Sequence, residues 1–165
     1  MTMKQLLKYM VWHCSASPVT VDLKKADILH MHTAPKHLGG RAWKVPGYKD
    51  MVELDGTLTN IMPFNQDKYV DPWEISNGVR GLNGIAHHVM YVGGVDQKGK
   101  AKDTRNEEQK RTMEIYTHYM IARHPTIQVL GHYQAPGARK ACPSFDVPAW
   151  LRAIGVAEKN IYNSP

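Results

Sequence analysis

Cysteine is scarce in this chain, with two residues, Cys14 and Cys142, in 165. A bridge between them would tie the first strand to the last loop, but one bridge is not the framework that small secreted folds depend on. No apolar run approaches the ~20 residues that span a bilayer. The opening stretch, Met1-Thr-Met-Lys-Gln-Leu-Leu-Lys8, lacks an extended apolar segment and a small-residue cleavage site. The expectation is a chain made in the cytoplasm without a signal peptide. Clusters of Lys and Arg with interleaved aromatics are also missing. The net charge of +6, from 21 Lys+Arg against 15 Asp+Glu, therefore reads as a basic surface or as attraction to some polyanion, with nucleic acid the weaker choice. There is no internal repeat, low-complexity segment or linker, so residues 1–165 read as one domain with a single core.

What is present is ordinary folding material: 42% hydrophobic and 22% charged residues. Residues 8–14 are rich in β-formers, and period two puts Tyr9, Val11 and His13 on one face and Met10, Trp12 and Cys14 on the other. Thr20 or Asp22 is positioned to cap a helix over 22–34. Asp55-Gly56, between residues 48–54 and 57–62, is the strongest hairpin signal. Residues 63–83 are rich in loop signals, with one helical turn at Pro72-Trp-Glu-Ile. Ile85 to Val92 is a nearly continuous apolar run, as in a central strand. Thr104-Arg-Asn-Glu107 reads as a capping box opening a helix to about Arg123, with Met113, Tyr116, Met120 and Ile121 as its core stripe. Ile127 to Leu130 is a short strand, Asp146 opens a last helix to about Ile154, and the tail to Pro165 carries little signal. The pattern is mixed α/β.

Chemistry concentrates at two places. Trp12-His13-Cys14 ends the first strand, and Gly131-His-Tyr-Gln-Ala-Pro-Gly-Ala-Arg-Lys-Ala-Cys-Pro-Ser-Phe145 follows a later one. His13, His132 and Cys142 would make a zinc set of two imidazoles and a thiolate with a fourth position open, the pattern of a catalytic site. Cys14 faces away from His13 on a regular strand and reads as a small buried hydrophobe. Spacing leaves the trio open. A lone strand histidine is more often a satisfied core residue, and a chain with nine histidines produces such sets by chance.

His13-Cys14-Ser15-Ala16 resembles the first zinc motif of the zinc-dependent N-acetylmuramoyl-L-alanine amidases of the type 2 family, which includes the phage lysozyme-amidases and the animal peptidoglycan recognition proteins. In order along the chain, Pro46-Gly47-Tyr48 with Leu54-Asp55-Gly56-Thr57 resembles the family's Gly-Tyr strand and its hairpin. Tyr91-Val-Gly-Gly94 is similar to the end of its central strand. Gly131-His132, Ala135-Pro136 and Lys140-Ala-Cys-Pro-Ser-Phe-Asp146 are similar to the second zinc motif of the phage members. The resemblance covers about residues 9–154. It implies a central mixed β-sheet flanked by helices on both sides, with a zinc cleft at one edge. It also implies one Zn2+ per chain held by His13, His132 and Cys142, with Tyr48 and Lys140 beside the metal as catalytic residues. The implied reaction is hydrolysis of the amide joining N-acetylmuramic acid to L-alanine in peptidoglycan, the partner of a monomeric protein that acts on the cell wall after release. No membrane partner is implied.

The chain departs from the family pattern in several places. Lys49 follows Tyr48 where the family commonly has His, and Asn77-Gly78 lies where many members have a His near the cleft. Gln134 replaces an acidic residue, and His88 stands in the central strand where a small residue is usual. The segment from His32 to Trp43 is longer than in compact members. The rival reading is a non-catalytic peptidoglycan-binding recognition module. Such members typically lose the cysteine ligand, so Cys142 with Tyr48 and Lys140 favours the enzyme.

Overall fold

The computed structural model describes residues 3–163. The strands are Gln5–Leu6 (β1), Tyr9–Cys14 (β2), Asp50–Val52 (β3), Leu58–Asn60 (β4), Tyr69–Val70 (β5), Ala86–Tyr91 (β6) and Gln128–Gly131 (β7), and the helices are Lys25–Thr33 (α1), Glu107–Arg123 (α2) and Val147–Ala153 (α3). Five strands form one mixed sheet in the order β4-β3-β6-β2-β7. β2 runs parallel to both β6 and β7, β3 is parallel to β6, and β4 closes the edge as the antiparallel arm of the Asp55-Gly56 hairpin.

The two faces follow from the alternation along β2 and β6. Met10, Trp12, Val89 and Tyr91 join Met113, Tyr116 and Met120 of α2 and Val147 and Leu151 of α3 in the larger cluster. On the other face Met90 and Met51 pack on Ile28 of α1. Each fully buried Met or Leu in these layers contributes about 1.5–3 kcal/mol. Trp12 satisfies its indole N–H through Thr117 Oγ1 at 3.2 Å, which registers α2 against the central strand. Asp50 does the same from β3, accepting hydrogen bonds from Tyr116 (2.6 Å), His87 (2.8 Å) and Asn60 (2.9 Å). Burial keeps His87 below its usual range, so the His87–Asp50 contact is a hydrogen bond from a neutral ring.

Helices on both faces of a central mixed sheet are the architecture that the sequence predicts, with local corrections. α1 begins at Lys25, and Asp27 caps it by accepting the Lys24 N–H at 2.7 Å, in place of Thr20 or Asp22. α2 begins two residues beyond the cap predicted at Thr104–Glu107. Asn106 accepts the Gln109 N–H at 2.8 Å and the Gln109 side chain accepts the Asn106 N–H, an equivalent box three residues apart. Thr104 accepts instead from Gly94 at 2.7 Å. The β1–β5 ribbon, only two residues a side, is too short to leave a periodic signal.

The C-terminal tail is more structural than its sequence suggests. Ile161 is buried and bridges to Val129, Tyr162 meets Tyr9 edge-on at 5.7 Å, and Asn160 donates to the carbonyls of Pro125 (3.0 Å) and Ile127 (2.7 Å). Asn160→Ala leaves two carbonyls without that donor and should cost about 1–3 kcal/mol. Urea unfolding reads this directly, and an unchanged midpoint would remove Asn160 from the set of residues that hold the tail.

Candidate metal centre

His13 is the next-to-last residue of β2, and His132 is the first residue after β7, the parallel neighbour of β2. Parallel pairing therefore delivers both imidazoles to the same end of the sheet, beyond the carboxyl ends of the strands where open α/β folds place their ligands. The rings lie 4.8 Å apart. Cys142 returns to them on the loop after His132. Tyr133 donates its N–H to the Cys142 carbonyl at 2.9 Å, the Tyr91 hydroxyl donates to the Pro143 carbonyl at 2.7 Å, and the Cys142–Pro143 bond is cis. Gly131 allows this close return, since a Cβ there would lie 2.7 Å from Tyr133 and 2.8 Å from Pro143.

The three ligating atoms lie within 4.8 Å of one another, and His13 Nδ1 is 3.8 Å from Cys142 Sγ. Tetrahedral zinc with N and S ligands separates neighbouring donors by roughly 3.5 Å, so small side-chain adjustments suffice. His13 is wholly buried, while His132 and Cys142 are half-buried, which leaves a side open to solvent. The donor set therefore fits zinc. Cys14 and Cys142 are both free thiols. The Cys14 side chain points into the larger core cluster, but its backbone N–H donates to Cys142 Sγ at 3.3 Å. Its hydrogen bond with the Cys14 side chain, together with burial, pushes the Cys142 thiol up. A metal held by Cys142 would have to displace that thiol's proton.

Tyr48 lies against His13, with ring centroids 4.9 Å apart, and burial keeps its phenol protonated. Lys140 is exposed on the Cys142 loop, close enough for its charge to lower His13 and His132. Behind Tyr48 stands a wall that sequence reasoning missed. Its centre is His32, on α1. It is buried, accepts the Gly47 N–H at 3.2 Å, stacks on Trp43 at 4.9 Å and meets Tyr48 at 5.2 Å, while Arg41 covers Trp43 at 4.9 Å. Its partners come from the long segment after α1, and no periodic signal marks such an arrangement. His88 is also placed: it is buried on the same sheet face as His13, with Nδ1 3.0 Å from His13 Nε2. Lys49 is buried beside Phe64, 5.7 Å from its ring, and desolvation pushes its ammonium down to about 8. Gln134 ties the turn to the tail, accepting from Gly131 at 2.9 Å and donating to Tyr162 at 3.2 Å. A cavity of about 750 Å3 between β4 and α2 is lined by Leu58, Phe64, Ile115 and Tyr119 and by none of the predicted site residues, so chemistry rather than volume locates the centre.

No protein-family model matches the chain. It is 26% identical over 140 residues to the endolysin of Enterobacteria phage K11, covering 85% of this chain and 82% of that one. The N-acetylmuramoyl-L-alanine amidase LysC of Clostridium intestinale superposes with a TM-score of 0.68 at 16% identity, over 94% of this chain and 92% of the other. Drosophila PGRP-LB superposes with a TM-score of 0.64 at 13% identity, over 97% and 88%. The chain has the amidase and peptidoglycan recognition protein fold. The proteins that share this fold include those whose zinc motifs the His13 and His132–Cys142 segments resemble. Within the fold, β2 carries His13, and the segment after β7 carries both His132 and the thiol of Cys142.

Burial lowers His32 and His132 to about 4 and His88 to about 3, and holds His13 well below its usual range. The unfolded chain therefore binds protons below pH ~6.5 that the native chain refuses, and native stability falls as pH drops from ~6.5 towards 4. Urea midpoints of metal-free protein at pH 7.5, 6 and 4.5 should decline in that order. A flat series would mean that these rings are not held neutral by the fold.

Proposed function

We propose that the chain is a peptidoglycan-lytic hydrolase, a zinc-dependent N-acetylmuramoyl-L-alanine amidase that acts on the bacterial cell wall as a monomer after release. The observation that carries the proposal is the convergence of His13, His132 and Cys142 beside Tyr48 in this fold. Similarity to a phage endolysin over most of both chains supports a lytic role.

His13, His132 and Cys142 would hold the ion. Bound zinc would supply a Lewis acid that brings the pKa of water to about 7 and polarises a carbonyl. The chain's own residues account for the rest. The amide to be cut joins the lactyl carbonyl of N-acetylmuramic acid to the nitrogen of L-alanine. Its scission leaves a lactyl carboxylate and a free amino terminus. Lys140 provides a flexible cation on the solvent side of the centre, where it can meet the negative charge developing on the carbonyl oxygen. Tyr48, a neutral phenol against His13, can donate a hydrogen bond to the carbonyl or orient the attacking water. The wall of His32 and Trp43 holds the Tyr48 ring in place. A hydrolase of this design needs no side-chain nucleophile.

Purified protein should contain about one zinc per chain and release stem peptide from peptidoglycan, with new amino termini and no new reducing sugar ends. A chelator should stop the release. Zinc without release would turn the reading to a binding module, and neither zinc nor release would remove the metal centre itself. His132→Ala and Cys142→Ser should lose most of the zinc and all lysis, whereas Cys14→Ser should keep both, since it leaves the backbone N–H that reaches Cys142. Lys140→Ala should keep zinc and lower turnover by about 10²-fold or more. Unchanged turnover would exclude Lys140 from the reaction.

A further inference from the structure

His88 has no place in the chemistry above, yet its ring is hydrogen-bonded to His13 Nε2. It lies on β6 beside Val11 in the parallel register, on the same face as His13, and both rings are fully buried. The rings meet edge-on, with centroids 5.2 Å apart and His13 Nε2 3.0 Å from His88 Nδ1. The other nitrogen of His13, Nδ1, faces Cys142 Sγ at 3.8 Å. The two contacts divide the imidazole: Nδ1 faces the centre and Nε2 faces His88. A nitrogen that binds a metal offers a lone pair, so a ligating Nδ1 requires the hydrogen of His13 to sit on Nε2. In this buried setting that hydrogen needs an acceptor, and among the described residues His88 Nδ1 is the one within reach.

The position of His88 is itself constrained. Its backbone carbonyl accepts the Lys49 N–H at 2.8 Å. Gly78 lies against its ring, and a Cβ at position 78 would come within 2.4 Å of His88 Cγ and 2.5 Å of Nδ1. The space beside His13 is thus filled by an imidazole from the strand, because the loop across it carries no side chain at Gly78. His88 Nε2, by contrast, is buried without a hydrogen-bond partner among the described residues. An imidazole whose one hydrogen bond among the described residues is to His13 is placed for that contact.

We propose that His88 is a positioning residue of the metal centre, accepting the His13 Nε2 hydrogen at Nδ1 and so fixing both the tautomer and the ring plane of that ligand. The proposal rests on the reading of His13 as a metal ligand. The usual partner for a ligating histidine is a carboxylate, a carbonyl or water. A neutral imidazole does the same orienting work without adding negative charge, so the centre keeps the full electrophilic charge left by one thiolate and two neutral rings.

The test compares zinc dissociation constants, read by competition with a chromophoric chelator, for the wild type, His88→Leu and His88→Asn. Leu fills similar volume without an acceptor, and Asn places Oδ1 near the position of Nδ1. His88→Leu should bind zinc about 10–100-fold more weakly. His88→Asn should recover to within about threefold of the wild type. The cobalt(II)-substituted His88→Leu protein should show a displaced visible spectrum, and metal-free melting temperatures report any change in the fold itself. Long-range 1H–15N spectra of the zinc-loaded wild type give the same answer without a variant: His88 Nδ1 should be unprotonated and His13 Nε2 protonated. Equal affinities for wild type and His88→Leu, Asn no better than Leu, or a proton on His88 Nδ1 would overturn the proposal while leaving the metal centre standing. A wild type that binds no zinc would remove both.

Discussion

Parallel pairing of β2 with both β6 and β7 is the constraint on which the rest of the molecule depends. It aligns three strand ends at one edge of the sheet, so that His13, the turn bearing His132 and the end of β6 open in the same direction. Parallel strands need long crossovers. Here those crossovers carry α1 to one face and α2 to the other, and they bury β2 from Met10 to Cys14. A strand buried on both faces tolerates few polar groups, so a histidine at its end must be satisfied. His13 is satisfied by His88 on one nitrogen and faces Cys142 with the other.

The same burial links stability to chemistry. Desolvation keeps the rings at the centre neutral, the form that can ligate a metal, and each ring held neutral in this way makes the fold dependent on pH. On the opposite face Asp50, His87 and Tyr116 form a closed hydrogen-bonded set that locks α2 to the sheet. Two adjacent residues of β6, His87 and His88, thus serve different faces, one anchoring a helix and the other supporting the centre. Strand alternation alone assigns them.

Much of this was legible beforehand. The period-two pattern at residues 8–14, the apolar run at 85–92, the Asp-Gly turn and the helical stripe ending near Arg123 each correspond to an element, because each buries a regular apolar face. The α2 cap shifted by two residues because adjacent side chains could do the same work, Asn106 and Gln109 in place of Thr104 and Glu107. The β1–β5 ribbon and the packed tail were not legible, since two residues a side and a single buried Asn160 leave no periodicity.

By itself the sequence determined the class of the fold, because strand alternation and loop composition are local properties. It also raised a candidate set, two imidazoles and a thiolate in an order that resembles known zinc motifs, whose spacing alone left their convergence open and which the structure brings within 4.8 Å of one another. Only the tertiary structure decided how those groups are supported. His32 could be told from a surface histidine, and His88 from a core one, only once the segment after α1 and Gly78 had been laid against them. The reason is physical: the environment of a side chain depends on contacts between segments far apart in sequence, and residue type and spacing do not encode those contacts.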